Sequence, residues 1–302
     1  MSFQPITYSN QGPIWNRALI TALEYMNGRL KIERKYYKTL KTFDDIKARQ
    51  DSTPYFDVAL EELDVRSSIE SGSLANIPED GPLIVLANHP FGILDGLITG
   101  SVLHQRRDDF YILANHALQK AEPMKKWLIP LDDSGTKEAE AANRPSIIQS
   151  MRHLHKGGAL CIFPAGRVAR PARWKSRIED YEWQEFAARM ILSARKSGTN
   201  IRILPLYFDG QNSFVFHLAY ILRFQAMRRA LILSEALKKE SETIHVHIGK
   251  TTPISDLPDT KNAKELTGHL RNMVFDLQPA PVYWPESYSP TAINGTGLEK
   301  SY

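Results

Sequence analysis

A histidine and an aspartate follow a short apolar run and could form a catalytic pair. The run 83–87 has the composition of a buried strand, and it is followed by His89 and, after five intervening residues, by Asp95. Open α/β sheets collect their functional side chains at the carboxyl ends of the strands. A carboxylate one turn away can bind one ring nitrogen of an imidazole and leave the other to accept a proton near neutral pH. The spacing therefore predicts a general base, His89, that is oriented by Asp95.

A second apolar run ends in a turn that carries a cation. Phe163, Pro164, Gly166 and Arg167 follow residues 159–162. The glycine lets a ligand approach the backbone closely, and a guanidinium binds a phosphate or a carboxylate through paired hydrogen bonds. An arginine after a turn is also common as a solvated surface residue, but further cations follow closely: Arg170, Arg173 and Lys175. The cluster favours an anion-binding site at this second strand end.

The composition is that of an ordinary globular protein with a modest cationic excess. Of the 302 residues, 42% are hydrophobic and 24% are charged, and the formal net charge is +4. No zinc-finger, RNA-recognition or leucine-zipper pattern occurs, so we expect no nucleic-acid partner. The single cysteine cannot form an internal disulfide, and we find neither a secretory signal nor a run of about 18 apolar residues. These features predict a cytoplasmic location.

Apolar runs alternate with amphipathic segments along most of the chain. The runs that read as strands are 83–87, 110–114, 159–163, 201–208 and 244–248. Helices are predicted at 13–27, 33–50, 93–103, 137–154 (with a break or a new start at 143–146), 183–196, 221–239 and 263–276, while 124–131 reads as apolar and partly helical. This alternation predicts an α/β fold in which a mostly parallel or mixed central sheet is flanked by helices.

Three regions are predicted along the chain. Residues 1–50 form a helical amino-terminal appendage and are a candidate for membrane contact, because basic side chains follow apolar and aromatic ones there. Residues 51–278 form the catalytic α/β domain. Residues 279–302 form a loosely structured tail, because they are rich in Pro, Ser, Tyr and Gly.

Taken together, the motifs resemble those of the lysophospholipid acyltransferase superfamily, which includes the glycerol-phosphate acyltransferases. Asn88-His89-Pro90 with Asp95 is similar to the catalytic block of that family, residues 163–167 to its phosphate-binding block, and residues 203–206 to its last, proline-containing strand. The resemblance runs from about residue 23 to residue 270. It extends to the hemolysin-like branch, which includes enzymes of bacterial aminolipid synthesis and is also suggested by Asp180 and Trp183.

The resemblance implies transfer of a fatty acyl chain from a thioester donor to the hydroxyl or amine of a lysolipid. His89 and Asp95 would be catalytic, and the substrate-binding residues would be Asn88, Phe163, Pro164, Gly166 and Arg167. No bound cofactor is implied, since acyl-CoA or acyl carrier protein serves as co-substrate. The lysolipid and an anionic membrane surface are the other expected partners, which would place the protein peripherally on the inner face of the cytoplasmic membrane.

This chain departs from the common family pattern at three positions. Leu94 occupies the usual position of the aspartate, so the carboxylate is assigned to Asp95, as in the hemolysin-like branch. Ala165 replaces the usual glutamate of the phosphate-binding block, and Arg167 stands where a threonine is common. Glycerol-3-phosphate is therefore a less expected acceptor than a lysolipid.

Direct acyl transfer needs no covalent intermediate with the protein. The alcohol must be made nucleophilic, which is the task of a general base, whereas a thiolate leaves readily. No Gly-x-Ser-x-Gly motif occurs, and Cys161 lies within an apolar run, where it reads as a core residue. His116 follows another predicted strand and is a candidate neighbour of the site.

Two other functions remain open at this point. A hydrolase could use His89 and Asp95 to activate water, with a metal at His245 and His247, which alternate along a predicted strand; a polar outer face of the strand gives the same pattern, and no metal site is assigned. A non-enzymatic membrane-binding or lytic protein is the third class. Segment 214–233, which is apolar and carries arginines, is a candidate for membrane contact and equally a core helix with a basic edge.

Overall fold

A mixed β-sheet forms the centre of the structure. The computed structural model describes residues 21–22, 26, 28–48, 54–116, 118, 122–132, 137–174 and 176–284. The strands in these residues are β1 (Arg66–Ser71), β2 (Leu83–Ala87), β3 (Phe110–Asn115), β4 (Leu128–Leu131), β5 (Ala159–Ile162), β6 (Arg170–Pro171), β7 (Ser176–Glu179), β8 (Arg202–Asp209), β9 (Thr243–Ile248), β10 (Thr252–Pro253) and β11 (Tyr283–Trp284). Eight of them form the central sheet in the order β1-β9-β8-β2-β5-β3-β4, with β10 paired to β8.

The strands that carry the two motifs lie side by side in the sheet. β2 pairs in parallel with β5 on one side and with β8 on the other, so that Ile84 lies opposite Leu160 and Ile203. β3 and β4 continue the parallel part. Because parallel strands end at the same edge, the residues after β2 and β5 meet there.

The two strands at the other edge of the sheet, β9 and β1, run antiparallel to β8, β2, β5, β3 and β4. β9 is antiparallel to β8, and β1 adds to β9 in parallel, with Arg66 opposite Thr243 and Ile69 opposite Val246. This pairing joins an early segment of the chain to a late one. The side chains of β1 are mostly exposed and polar.

Helices cover both faces of the sheet. In the described residues they are α1 (Arg29–Ala48), α2 (Tyr55–Leu63), α3 (Ile93–His104), α4 (Lys137–Ala142), α5 (Arg144–His155), α6 (Phe186–Ser197), α7 (Phe214–Ile221), α8 (Gln225–Lys238) and α9 (Ala263–Phe275). β2 is buried on both faces: Leu83 and Val85 belong to one apolar cluster, and Ile84 and Leu86 belong to another. A strand covered on both sides reads as an uninterrupted apolar run, which explains why β2 was recognisable from the sequence.

The amino-terminal basic segment packs onto the body of the protein. Tyr36 and Leu40 of α1 contact the larger apolar cluster. Lys31 and Lys35 both pair with Glu240, and Lys38 pairs with Glu62. These cations are therefore engaged within the chain. Most of the predicted helix 13–27 lies outside the described residues.

The fold class and the five predicted strands are confirmed, and several element assignments are corrected. Segment 124–131 is partly helical, as predicted, since its first half belongs to a 3₁₀ helix (Glu122–Trp127), but its second half is strand β4, which was not predicted. The break predicted at 143–146 within helix 137–154 is confirmed, because α4 ends at Ala142 and α5 begins at Arg144. The predicted helix 221–239 begins only at Gln225, as α8, and the separate helix α7 precedes it. The sequence analysis predicted neither α2 nor β1, nor the short strands β6, β7, β10 and β11.

The carboxyl-terminal part of the described chain adds a small second sheet. β11 pairs antiparallel with β7, which also pairs with β6. Trp284 is buried against Trp174 and Phe214. The segment predicted to be a loose tail thus begins with residues that belong to the body, while residues 285–302 lie outside the described part of the chain. Among the described residues, no helix combines the length and the apolar character needed to span a bilayer.

Candidate active site

His89 and Asp95 are in direct contact at the carboxyl edge of the sheet. His89 lies two residues beyond β2, and Asp95 lies in the first turn of α3. The distance from His89 Nδ1 to Asp95 Oδ2 is 2.8 Å. The side chain of His89 is 18% exposed, whereas that of Asp95 is 0% exposed. The predicted pair is therefore assembled, and Nε2 is the imidazole nitrogen left for a substrate.

The turn between the two residues holds the carboxylate in place. The backbone N–H groups of Phe91 and Gly92 donate to the same Oδ2 atom, at 2.9 and 2.8 Å. Gly92 has a φ of 82°, a conformation that glycine adopts readily and other residues rarely adopt. Burial raises the pKa of Asp95, while the hydrogen bonds from His89, Phe91 and Gly92 act in the opposite direction. The positive end of α3 also favours an anionic carboxylate here.

A second buried aspartate fixes the backbone of His89. Asp180 Oδ1 accepts a hydrogen bond from the His89 N–H at 3.1 Å, and Asp180 Oδ2 accepts one from Trp183 Nε1 at 2.9 Å. On the other side, the N–H of Ala169 donates to the carbonyl of His89 at 2.8 Å. Burial raises the pKa of Asp180 to about 6. The main chain of the proposed base is thus held by the segment that follows β5.

The second motif covers one face of the imidazole. The ring of Phe163 stacks on that of His89 with centroids 4.6 Å apart and an interplanar angle of 29°. The turn is closed by a hydrogen bond from the Gly166 N–H to the Phe163 carbonyl, and the Pro164 carbonyl accepts one from the Gln184 N–H. Phe163, Pro164, Gly166 and Arg167 all line the cavity described below.

Asn88, which the family resemblance assigned to substrate binding, is buried and turned toward the sheet. Its amide donates to the carbonyl of Phe208 at 2.9 Å and accepts from the N–H of Phe208 at 2.7 Å. The side chain is absent from the cavity lining. The geometry therefore favours a role in holding the end of β2 against β8.

A cavity of about 1230 Å³ opens beside His89. One part of its lining is apolar and comes from α3, the strands β3 and β4 and their surroundings: Ile93, Ile112, Leu118, Met124, Leu128 and Ile147. The other part is polar and largely cationic: Arg167, Tyr181, Gln184, Glu185, Arg189 and Arg228. His116 also lines the cavity. A lining of this kind suits a molecule with a long apolar chain and a polar head.

The remaining candidates from the sequence lie away from this geometry. Cys161 is buried in the core, as predicted, and burial raises the pKa of its thiol. His245 Nδ1 contacts Glu70, and His247 Nδ1 contacts Ser71. No group of three or more His, Cys, Asp or Glu side chains suited to a metal was found among the residues that the structure describes.

Comparison with known proteins finds acyltransferase relatives of this chain. The family model described as "Acyltransferase" matches residues 68–209. A lyso-glycine lipid O-acyltransferase of Phocaeicola vulgatus is 26% identical over 230 residues, which is 74% of this chain and 77% of that protein. These matches identify residues 68–209 as an acyltransferase domain and support the resemblance to the lysophospholipid acyltransferase superfamily.

Two further proteins are similar to this acyltransferase. A lyso-glycine lipid O-acyltransferase of Bacteroides thetaiotaomicron is 23% identical over 229 residues, which is 74% of this chain and 79% of that protein. The crystal structure of the 1-acyl-sn-glycerophosphate acyltransferase from Thermotoga maritima covers 85% of this chain and 92% of its own, with 18% identity and a TM-score of 0.43. The family match in this acyltransferase extends from β1 to the end of β8 and contains both motifs.

Sequence reasoning missed three residues around the site. Asp180 was noted but not placed in the site, although it bonds the backbone of His89. Tyr181 and Arg228 line the cavity and are joined by a hydrogen bond of 3.0 Å. The position of Asp180 next to a tyrosine and near Trp183 could have indicated from the sequence that Asp180 belongs to the site. Nothing in the apolar segment around Arg228 indicated that this arginine would face a cavity.

Proposed function

We propose that this acyltransferase moves a fatty acyl chain from a thioester donor to the hydroxyl of a lyso-aminolipid, such as a lyso-glycine lipid. The single observation that carries the proposal is the 2.8 Å contact between His89 Nδ1 and Asp95 Oδ2 beside a cavity with an apolar part and a cationic part. The names of the two bacterial relatives supply the acceptor class and favour oxygen over nitrogen as the acylated atom.

In the proposed reaction, His89 acts as the general base. Its Nε2 removes the hydroxyl proton as the acceptor oxygen attacks the thioester carbonyl carbon, which becomes tetrahedral. The carbon–sulfur bond then breaks, the ester forms, and the imidazolium returns its proton to the departing thiolate. Asp95 keeps Nδ1 protonated and stabilises the imidazolium, because its carboxylate is fixed by the turn at Phe91 and Gly92.

The cavity suggests where the rest of the substrates bind. The apolar part formed by residues such as Met124 and Leu128 suits a fatty chain, and Arg167 at the exposed edge suits an anionic group of the acceptor or the donor. The donor is acyl-CoA or acyl carrier protein. Either one meets the chemical need for a thioester.

The test is an acyl-transfer assay with purified protein, a lyso-glycine lipid and a long-chain acyl-CoA or acyl-ACP. His89→Ala should lower kcat by about 10²- to 10⁴-fold, the usual contribution of a general base. Arg167→Ala should raise KM more than His89→Ala does. The matched control is His104→Ala, which removes a histidine of α3 that pairs with Asp108 away from the cavity. Near-normal turnover of His89→Ala, or release of the acyl chain as free acid, would reject the proposal.

We further propose peripheral contact with an anionic membrane. Exposed apolar side chains surround the start and the end of α7: Trp174, Phe214, Val215, Leu222 and Phe224. Exposed Arg173 and Arg223 accompany them, which is the composition of a segment that lies at a bilayer interface. Sedimentation with vesicles that contain anionic lipid should fall when Phe214 and Phe224 are replaced by serine. Ile148→Ser, an equally exposed apolar side chain on α5, is the control; equal binding of all variants would contradict the assignment.

A further inference from the structure

Arg228 is a buried cation that has no acidic partner among the residues that the structure describes. The residue lies on α8, is 7% exposed and lines the cavity beside His89. Its guanidinium donates to the hydroxyl of Tyr181 at 3.0 Å and to the carbonyls of Val168 and Ala169 at 2.9 and 3.2 Å. Its Nε atom has no hydrogen-bond partner in the described part of the chain. Burying a charge without a counter-ion costs free energy of folding, so an anionic ligand beside Arg228 would stabilise this arrangement.

Two more arginines share the same tyrosine. The guanidinium carbon of Arg170 lies 4.7 Å from the centroid of the Tyr181 ring, and that of Arg167 lies 5.6 Å from it. Neither of them, nor Arg228, has a carboxylate within 4 Å among the described residues. The nearby acid on the cavity wall, Glu185, is already paired with Arg189. This wall of the cavity therefore carries an excess of positive charge.

Aromatic rings reduce the cost of this charge without neutralising it. The guanidinium of Arg228 lies 4.6 Å from the centroid of Phe216 and 5.0 Å from that of Tyr220. Arg170 also lies over Tyr220, at 5.3 Å. Ring faces attract cations, but they supply no negative charge. An anion that enters the cavity would be the first full counter-charge for Arg228.

One residue, Ala169, is hydrogen-bonded both to Arg228 and to the proposed base His89. Ala169 donates through its N–H to the carbonyl of His89 and accepts through its own carbonyl from Arg228. By standard backbone dimensions, the guanidinium therefore lies at most about 10 Å from the His89 carbonyl oxygen. Both residues line the same cavity, so a head group a few bonds from the reacting hydroxyl could meet Arg228 while the hydroxyl meets His89. The phosphates of a CoA donor lie at the far end of the pantetheine arm from the thioester.

We infer that Arg228, with Tyr181 and Arg167, binds the anionic head group of the lysolipid acceptor, a carboxylate or a phosphate, while the acceptor hydroxyl meets His89. The inference rests on the proposed function and adds a specificity residue to it. A glycine linked to a lipid through its nitrogen keeps a free carboxylate and loses its positive charge. Such an acceptor matches the cationic wall, whereas a neutral or zwitterionic head group matches it poorly.

The test compares a charged acceptor with its neutral form. Wild-type protein should acylate an N-linked lyso-glycine lipid with a KM at least about tenfold below that for its methyl ester. Arg228→Met, which keeps the side-chain bulk, should raise KM for the acid at least about tenfold and leave KM for the ester and for the donor unchanged. Lysophosphatidate as a third acceptor separates a carboxylate site from a phosphate site, since the lower KM identifies the preferred group.

Two further variants distinguish a specific loss of head-group binding from misfolding of Arg228→Met. Tyr181→Phe removes only the hydroxyl beside Arg228 and should shift KM for the acid in the same direction by a smaller factor. Arg152→Met replaces an exposed arginine of α5 that lies outside the cavity lining and should change neither KM. Equal loss for acid and ester in Arg228→Met and Tyr181→Phe, or a change confined to the donor, would overturn the inference.

A binding measurement separates this inference from the proposed function. Equilibrium binding of the acid and of its methyl ester to the His89→Ala variant reports on the head-group site without turnover. Preference for the acid that disappears in the His89→Ala/Arg228→Met double variant supports the site even if no acyl transfer is detected. Equal binding of both forms rejects the site even if transfer occurs.

Discussion

Asn88 and Phe208 are joined by two hydrogen bonds that tie the end of β2 to β8. The amide nitrogen of Asn88 donates to the Phe208 carbonyl, and its oxygen accepts from the Phe208 N–H. The side chain thus replaces the backbone ladder at the residue where β2 leaves the sheet. His89 is the next residue, so its starting position is set by this amide. An asparagine is suited to the place because it offers one donor and one acceptor.

We therefore expect Asn88→Asp to destabilise the fold. A carboxylate oxygen would face the Phe208 carbonyl in a buried position, which leaves that carbonyl unsatisfied at a cost of about 1–3 kcal/mol or more. Urea unfolding monitored by circular dichroism measures the loss in the free energy of unfolding. Asn272→Asp, an exposed position on α9, is the control. Equal stability of the two variants would show that the paired bonds contribute little.

Asp95→Asn should impair turnover rather than binding. The amide fills the same space but lacks the negative charge that stabilises the His89 imidazolium, so kcat should fall by about 10²-fold or more while KM for both substrates changes little. Steady-state kinetics separate the two parameters. Asp108→Asn supplies the comparison, because Asp108 pairs with His104 at the surface. A loss confined to KM would mean that Asp95 serves the substrate site and not the base.

The raised pKa of Asp180 has a consequence for stability against pH. Its pKa is about 6 in the folded protein, above the ordinary value of 3.8, so between these values the folded state retains a proton that the unfolded chain has lost. The stabilisation is complete below pH 3.8 and is lost as the pH rises to about 6, with a total of about 3 kcal/mol. The difference in unfolding free energy between the wild type and Asp180→Asn should decline over this range. A difference that stays constant with pH would contradict the assignment.

Gly92→Ala should strain the turn that holds Asp95. A Cβ atom at Gly92 would lie 3.2 Å from Val168 Cγ2, and the φ of 82° is unfavourable for alanine, so we expect a loss of about 1–3 kcal/mol. Gly268→Ala provides the opposite control. Its Cβ meets nothing within 4 Å inside α9, and a gain of about 0.5–1 kcal/mol is expected there. Thermal unfolding of both variants measures the two changes in stability. A Gly92→Ala variant more stable than the wild type would refute the strain argument.

The sequence was informative where local pattern and burial coincide. β2, β5 and β8 are covered on both faces, so each appears as an apolar run that needs no knowledge of its neighbours. β1 carries mostly polar side chains at the edge of the sheet, and its pairing with β9 has no local signature. Helix α2 is recognisable only with its partner: Phe56 packs on Gly100, where a Cβ would lie 2.4 Å from the ring.

The residues of the site likewise fall into those that the local sequence predicts and those that only tertiary packing brings there. His89 and Asp95 were predictable because one turn contains both, and the Phe163–Arg167 motif because it follows a strand as His89 does. Asp180 acts on His89 from a distant part of the chain, and Arg228 reaches the cavity from a helix whose apolar sequence suggests a membrane segment or core. Contacts of this kind depend on tertiary packing, which composition and spacing do not encode.

The parallel pairing of β1 with β9 has a consequence for how the chain is made. About 170 residues separate Ser71 from Thr243, and a ribosome adding 5–20 residues per second needs roughly 10–30 s to produce them. Throughout that interval β9, the strand that pairs with β1 in the described part of the chain, has not been made, while the segments that build the rest of the sheet emerge. Its polar side chains keep the waiting segment soluble, and the final edge of the sheet closes only after the helix that carries Arg228 has left the ribosome.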